Sequence, residues 1–400
     1  MTKVSGGVCA PKGYRASGVA ARIKPSSTRK DCALIVSDAP ATVAGMFTKN
    51  LLKSPPVVWN AAACLAGKAR AVFINSGNAN AATGERGAMD VCTTAGMVAD
   101  GLRIETNEVC ICSTGVIGVP LPMDRIRSGV TDCLKTLGPS GSADAAHAIM
   151  TTDTVPKELA IEVTLQAGTI RFGAIAKGSG MIAPDMATMI CVITCDAEIA
   201  APALDKALRA AVNASFNCIT IDNDMSTSDT VLCFANGASG VRVVDSTPDF
   251  ITFTNALKAL CVEMAKLLVR DGEGATKFVE IAVEGAQNDE DARTIARAVA
   301  NSMLVKTAFF GQDPNWGRIA CAAGYAGVDF DPAELALWLD NVQLVSNGAA
   351  TEYREEDAAA VMKQAEFRVR IRVGAGSGAA VFWTSDLSHD YVSINADYRS

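Results

Sequence analysis

A layered α/β or α+β fold is what this sequence predicts, from two observations. Short apolar runs rich in β-branched residues recur along the chain, and helical stretches with one apolar face alternate with them. The size agrees: 400 residues with 49% apolar side chains can bury a large core, in more than one lobe. In order, strands are expected at Ala33–Val36, Ala71–Ile74, Ile161–Leu165, Met189–Thr194, Phe278–Val283, Phe367–Val373 and Ala379–Trp383. Leu257, Leu260, Met264 and Leu267 share one face at helical spacing. Ala292, Ile295, Val299 and Met303 do the same behind Asp289, a plausible N-terminal cap. The preferred boundary is the Lys177–Thr188 loop, with a softer break at Asn236–Pro248 where Gly, Ser and Asp gather.

Composition narrows the function classes. The net charge is −7 with no basic stripe, which disfavours nucleic acid as a partner. Met1–Gly7 lacks the apolar core of a signal peptide, and no apolar run is long enough to span a bilayer. Thirteen cysteines, an odd number without an export signal, read as reduced thiols of a cytosolic protein. Cys110/Cys112 and Cys191/Cys195 lack zinc-knuckle spacing and read as core, so no metal is expected. With two histidines in the chain, a Ser-His-Asp or Cys-His mechanism is poorly supported, and His147 reads as a plain helical position.

Two glycine-rich segments mimic phosphate-binding motifs. Gly374-Ala375-Gly376-Ser377-Gly378-Ala379 fits a loose dinucleotide fingerprint, yet a strand follows it and too little chain remains for a βαβ unit. A hairpin turn is expected there instead. Gly272-Glu273-Gly274-Ala275-Thr276-Lys277 lacks the order of a P-loop.

The most informative stretch is Lys177-Gly178-Ser179-Gly180-Met181-Ile182-Ala183-Pro184-Asp185-Met186-Ala187-Thr188-Met189. A glycine-rich loop runs through a small residue into a threonine at the mouth of a buried strand. Were the Ala187–Thr188 bond cut, Thr188 would gain an α-amino group as its own general base. Such an amine titrates near ~7.7–8, so no histidine would be needed. An oxyanion hole needs a sharp turn exposing backbone amides, and Cys112-Ser113-Thr114-Gly115-Val116-Ile117-Gly118 is a candidate, although the residues alone favour a plain connecting turn. Lys177 and Glu273 are each ordinary as loop charges; together they suit a small zwitterion.

The Lys177–Met189 stretch closely resembles the self-cleavage signature of the ornithine acetyltransferase, or glutamate N-acetyltransferase, family of arginine biosynthesis. Further family-like blocks span nearly the whole chain: Gly7-Val8 with Ala10–Gly13, Asn75–Ala81, Ser113–Gly118, Lys306–Ala308, Asp313–Arg318 and Asn395–Ser400. The resemblance implies self-cleavage between Ala187 and Thr188, into an α chain 1–187 and a β chain 188–400. It implies an αββα-type sandwich core shared with self-processing aminopeptidases, a smaller C-terminal lobe, and an assembly of two α and two β chains. Thr188 would accept acetyl from N-acetylornithine and pass it to glutamate, with no tightly bound cofactor and with acetyl-CoA as a possible co-substrate. Thr114 and Gly115 match the family's oxyanion pair. Thr151, Lys177, Thr188, Glu273, Asn395 and Ser400 match its substrate contacts, Thr152 being the neighbour with which Thr151 is most easily confused. Asp185 departs from an Asn common in the family, and Asp222–Asp229 matches its block only loosely. Two rivals remain: a self-processing aminopeptidase of the same fold, and a non-enzymatic protein in which Thr188 merely starts a core strand.

Overall fold

The computed structural model describes residues 1–183 and 189–397. In chain order the strands are β1 (Thr2–Lys3), β2 (Tyr14–Val19), β3 (Cys32–Phe47), β4 (Lys68–Asn75), β5 (Val109–Ser113), β6 (Lys157–Leu165) and β7 (Gly168–Lys177). There follow β8 (Ile190–Cys195), β9 (Glu198–Ile199), β10 (Ile219–Thr220), β11 (Thr230–Ala235), β12 (Arg242–Val243) and β13 (Phe278–Ala286). The last are β14 (Ala336–Leu339), β15 (Val342–Ser346), β16 (Ala349–Ala350), β17 (Glu366–Arg372) and β18 (Gly378–Ser385). Helices used below are α1 (Pro55–Ala66), α2 (Gly84–Leu102), α3 (Met123–Thr136), α4 (Ser142–Ala148), α5 (Ala201–Asn213) and α6 (Pro248–Arg270). Beyond them lie α7 (Asp289–Asn301), α8 (Met303–Phe310), α9 (Trp316–Gly324), α10 (Glu355–Lys363) and α11 (His389–Asp397).

The chain forms two compact units. The first, residues 1–217 and 224–268, is built on a nine-stranded sheet ordered β1-β6-β7-β8-β11-β3-β4-β5, with β2 on β3. Its central strands are buried on both faces, as continuous apolar runs such as Ile190-Cys191-Val192-Ile193 require. On one face Leu34, Phe73 and Ile111 pack against Val91, Val98 and Val130 of α2 and α3. On the other Ile35, Ile74, Val192 and Leu232 pack with Val8 and with Ala145 and Ile149 at α4. The second, smaller unit, 218–223 and 269–397 of the described residues, carries a seven-stranded sheet ordered β10-β18-β13-β17-β14-β15-β16. There β17 alternates exposed Arg368 and Arg372 with buried Val369 and Ile371, the period-two pattern of a sheet with one covered face. The mixed, layered α/β class and the smaller C-terminal unit are thus as expected.

All seven expected strands are present, and several details differ. The helical stripe of α6 runs through Leu257, Leu260, Met264 and Leu268; Leu267 is only half-buried. The cap of α7 is Asn288, which accepts the Asp291 N–H at 3.0 Å, while Asp289 instead accepts the Ala379 N–H at 3.0 Å. The helix stops at Asn301 because Ser302 caps a new one, leaving Met303 exposed at the start of α8. The turn after β17 is not a hairpin. Strand β13 lies between β17 and β18, so residues 373–377 cross its end, where Val373 N donates to Glu284 O and Gly376 N to Gly285 O. Gly285, at φ +80°, has no room for a side chain beside the Gly374 carbonyl.

The compact division does not fall at 177–188. β7 and β8 are antiparallel neighbours, Lys177 opposite Ile190, so the proposed scission would open a connection inside one sheet. Nor does it fall at Asn236–Pro248, which lies within the first unit. All thirteen cysteines are free thiols, and Cys110, Cys112, Cys191 and Cys195 are core residues. His147 is an exposed position of α4. Among the described residues no helix is long and apolar enough to cross a membrane, and no group of three or more His, Cys, Asp or Glu is placed to hold a metal.

Candidate active site

Lys177 is not a solvated loop charge. It is the last residue of β7, with 2% of its surface exposed, because the strand carries it into the first unit's interior. A buried ammonium needs a counter-ion. Asp153, itself buried, supplies it from the turn before β6. Asp153 Oδ1 accepts Lys157 Nζ at 2.7 Å and the Gly178 N–H at 2.7 Å, and Oδ2 accepts the Thr151 N–H at 3.0 Å. Burial alone would raise its pKa, but Lys177, Lys157 and the Gly178 amide outweigh it and hold the carboxyl down at about 2. The start of the glycine-rich loop is therefore clamped by a carboxylate 25 residues upstream. One bond further, Ser179 Oγ meets Thr152 Oγ1 at 2.7 Å. The hydroxyl bonded to the loop is that of Thr152; Thr151 contributes its amide to Asp153 and its carbonyl to Arg29.

Lys177 Nζ also lies 3.5 Å from Thr114 Oγ1. Because the ammonium can only donate, the Thr114 O–H is left to point elsewhere as a donor. Thr114 and Gly115 follow β5 in a turn pinned from β4: Asn75 O accepts the Thr114 N–H at 3.0 Å, Asn75 Oδ1 accepts Ser113 Oγ at 2.7 Å, and Gly77 O accepts the Val116 N–H at 3.4 Å. Gly115 has φ +128°, and a Cβ there would fall on the Gly77 backbone and 2.6 Å from Asn78 N. This turn is therefore a built feature, not a plain connection. The Thr114 amide is already used, so its hydroxyl and the Gly115 amide are the donors that this turn leaves open among the described residues.

Asp229 is the residue that sequence reasoning passed over. It immediately precedes β11, whose Thr230 stands opposite Ile190 of the parallel β8. Its Oδ1 accepts the Met189 N–H at 3.0 Å, and Thr230 N donates to Met189 O at 3.0 Å, so the residue after Thr188 is held on both sides. Burial pushes the Asp229 carboxyl well above the usual range, with the Met189 amide, the Thr48 hydroxyl and Lys177 opposing it only in part. Lys177 and Lys157 thus share one carboxylate, Asp153, whose pKa they lower, beside the Asp229 carboxyl, whose pKa burial raises.

In the second unit the structure brings Glu273 and Asn395 together: Asn395 Nδ2 donates to Glu273 Oε2 at 2.8 Å. α11 is tied down by Tyr391 Oη donating to Asp222 Oδ2 at 3.2 Å, and Ser388 Oγ just before it donates to Gly274 O at 2.6 Å. Ala187, Thr188 and Ser400 lie outside the described residues.

Known proteins resemble this chain over nearly its whole length. The family model named ArgJ family matches residues 15–400. The arginine biosynthesis bifunctional protein ArgJ of Symbiobacterium thermophilum is 46% identical over 402 residues, covering 100% of both chains. That of Geobacter sulfurreducens is 48% identical over 391 residues, covering 97% of this chain and 99% of its own. Among solved structures, ArgJ of Bacillus halodurans is 38% identical with a TM-score of 0.49, over 51% of this chain and 97% of that one. The ornithine acetyltransferase of Mycobacterium tuberculosis, solved with ornithine, is 45% identical with a TM-score of 0.42, over 44% and 94%. On a family match of this extent and on identity of this level over the full length, the chain belongs to the ArgJ family.

Proposed function

We propose that this protein is the acetyltransferase of arginine biosynthesis that moves acetyl from N-acetylornithine to glutamate through an ester on Thr188. The observation that carries this reading is identity of 46–48% to ArgJ proteins over essentially the whole chain. The chain first cuts itself between Ala187 and Thr188, giving chains 1–187 and 188–400 that assemble as two of each in the cytosol. The freed Thr188 amine takes the hydroxyl proton while the oxygen attacks the acetyl carbonyl. The Thr114 hydroxyl and Gly115 amide meet the developing oxyanion beside Lys177 in a buried, water-poor surrounding, where such donors act most strongly. Ornithine leaves, and glutamate's amine attacks the ester. Lys177 suits a substrate carboxylate or the oxyanion, and the Glu273–Asn395 pair suits a substrate ammonium; Ser400 and Thr151 complete the proposed contacts. No bound cofactor is required. The relatives are named bifunctional, which supports acetyl-CoA as a second acetyl donor.

Thr188→Ala is expected to leave one full-length band on a denaturing gel and no transfer from N-acetylornithine. A mutant that still splits refutes the assignment. Gly115→Ala is expected to lower kcat about 10²- to 10³-fold, the usual cost of one lost oxyanion donor. Gly118→Ala, also at positive φ but with open space around it, is the control and should cost only about 1 kcal/mol of stability. Measured transfer rates and thermal melts separate the two.

A further inference from the structure

Lys306, on α8 in the second unit, is a buried lysine that the proposed chemistry leaves unused, with 3% of its surface exposed. Its ammonium donates to Thr384 Oγ1 at 2.9 Å, to Ser385 Oγ at 3.3 Å and to the Ser385 carbonyl. Three protons thus meet three acceptors, all at the end of β18. Burial lowers its pKa to about 7, opposed by the charged groups that face it, Asp386 just past β18 and Asp222 just past β10. A hydrocarbon side chain would fill this place without that cost, as Val305 and Phe309 fill theirs on the same helix. What the amine adds is a grip on the Ser385 carbonyl and hydroxyl.

Past Ser385 the chain leaves the sheet, and residues 386–388 connect it to α11. Leu387 N donates back to the Lys306 carbonyl at 3.2 Å, so one residue of α8 holds this segment twice. The segment in turn holds the loop that carries Glu273. Asp386 Oδ1 accepts the Thr276 and Lys277 amides at 2.8 and 2.9 Å, and Oδ2 accepts the Thr276 hydroxyl at 2.5 Å. Ser388 Oγ reaches the Gly274 carbonyl, and a Cβ on Gly274, at φ +67°, would fall 2.5 Å from Tyr391 N. The loop therefore lies directly against the first turn of α11, the helix that carries Asn395. Both halves of the Glu273–Asn395 pair stand on residues 385–388: Glu273 through Asp386 and Ser388, Asn395 as the continuation of the chain. Glu273 is half-buried and Asn395 exposed, so neither is locked by packing of its own. A loose pair would have to be ordered at every binding event, which weakens binding.

We infer that Lys306 is a positioning residue for the ammonium group of the substrate: by fixing residues 385–388 it holds Glu273 and Asn395 where they receive that group. The inference rests on the reading of this pair as the ammonium site.

The test is a double-mutant cycle on the purified full-length protein: wild type, K306M, E273Q and the double mutant, assayed for acetyl transfer from N-acetylornithine at saturating glutamate. K306M keeps most of the side chain's length and loses its three hydrogen bonds. KM for N-acetylornithine should rise about tenfold or more while kcat stays within about threefold of wild type, the signature of lost binding alone. On the E273Q background K306M should change kcat/KM by less than about threefold, because the group it positions is already gone. A merely structural defect would lower kcat as well, and by the same factor in both backgrounds; that result overturns the inference, as does K306M with the KM of wild type. Should K306M not fold, S385A, which removes one of the three acceptors, takes its place in the same cycle, and the same outcomes decide. E273Q separates the two readings. An unchanged KM in E273Q removes the ammonium site itself; a raised KM in E273Q with a normal one in K306M removes only the role of Lys306.

Discussion

Above about pH 8.5 the folded chain is expected to lose stability steeply, and buried thiols are the cause. Burial raises the pKa of Cys9, Cys32, Cys64, Cys110, Cys112, Cys133, Cys191, Cys195, Cys233 and Cys261; for Cys9 it reaches about 11 and for Cys64 about 12. An unfolded thiol ionises near ~8.5, so above that pH the unfolded chain binds fewer protons than the native one. A raised folded pKa means that the stabilisation is intact below the unfolded value and drains away as pH climbs toward the folded one. Each thiol contributes a fall of about 1.4 kcal/mol per pH unit in that window. Lys306 works the other way. Its burial lowers its pKa to about 7, so its contribution rises by about 1.4 kcal/mol per unit from there to its unfolded value. Beyond about pH 8.5 the ten falling thiols outweigh this one rising group. Melting temperature under reducing conditions should therefore drop steeply between about pH 8.5 and pH 10. A melting temperature flat across that range would contradict the burial of these thiols.

How much of this was legible in the sequence depends on how local the cause is. Strands such as Ala71–Ile74 and Phe278–Val283 were readable because burial on a sheet imprints itself on consecutive side chains. The Lys177–Met189 stretch was readable as a motif for the same reason. Lys177 itself was misjudged as a loop charge because its counter-ion, Asp153, is 24 residues away and is brought near only by the β6–β7 pairing. Asp229 was invisible for a like reason: nothing near it in the chain announces the Met189 amide, which parallel pairing of β8 and β11 places against it. The path from β17 to β18 looks like a hairpin locally, since a short glycine-rich link can turn back or step over an intervening strand. Only the site of β13 decides, and β13 is contributed by residues about a hundred positions earlier.

Replacing Asp153 by alanine is expected to cost about 3–5 kcal/mol, the usual result of breaking a buried ion pair by removing one partner. The reason is the number of groups that depend on it. Lys157 and Lys177 are 1% and 2% exposed, and the Thr151 and Gly178 amides also lose their acceptor. In a unit of this size that loss lowers the melting temperature on the order of 10 °C. Acid should cost less than the mutation. The folded pKa is lowered to about 2, so the carboxylate's contribution is complete above its unfolded value and disappears as pH falls toward 2. The amount lost that way is about 2 kcal/mol, because a protonated carboxyl still accepts the two amides. The mutation should also reach the chemistry, since Gly178 begins the loop that leads to the proposed scissile bond and Lys177 faces Thr114. Self-cleavage of D153A, timed at a temperature where it remains folded, is therefore expected to slow together with acetyl transfer. Slowed transfer with normal cleavage would place Asp153 in the service of Lys177 and Thr114 alone, and not of the loop.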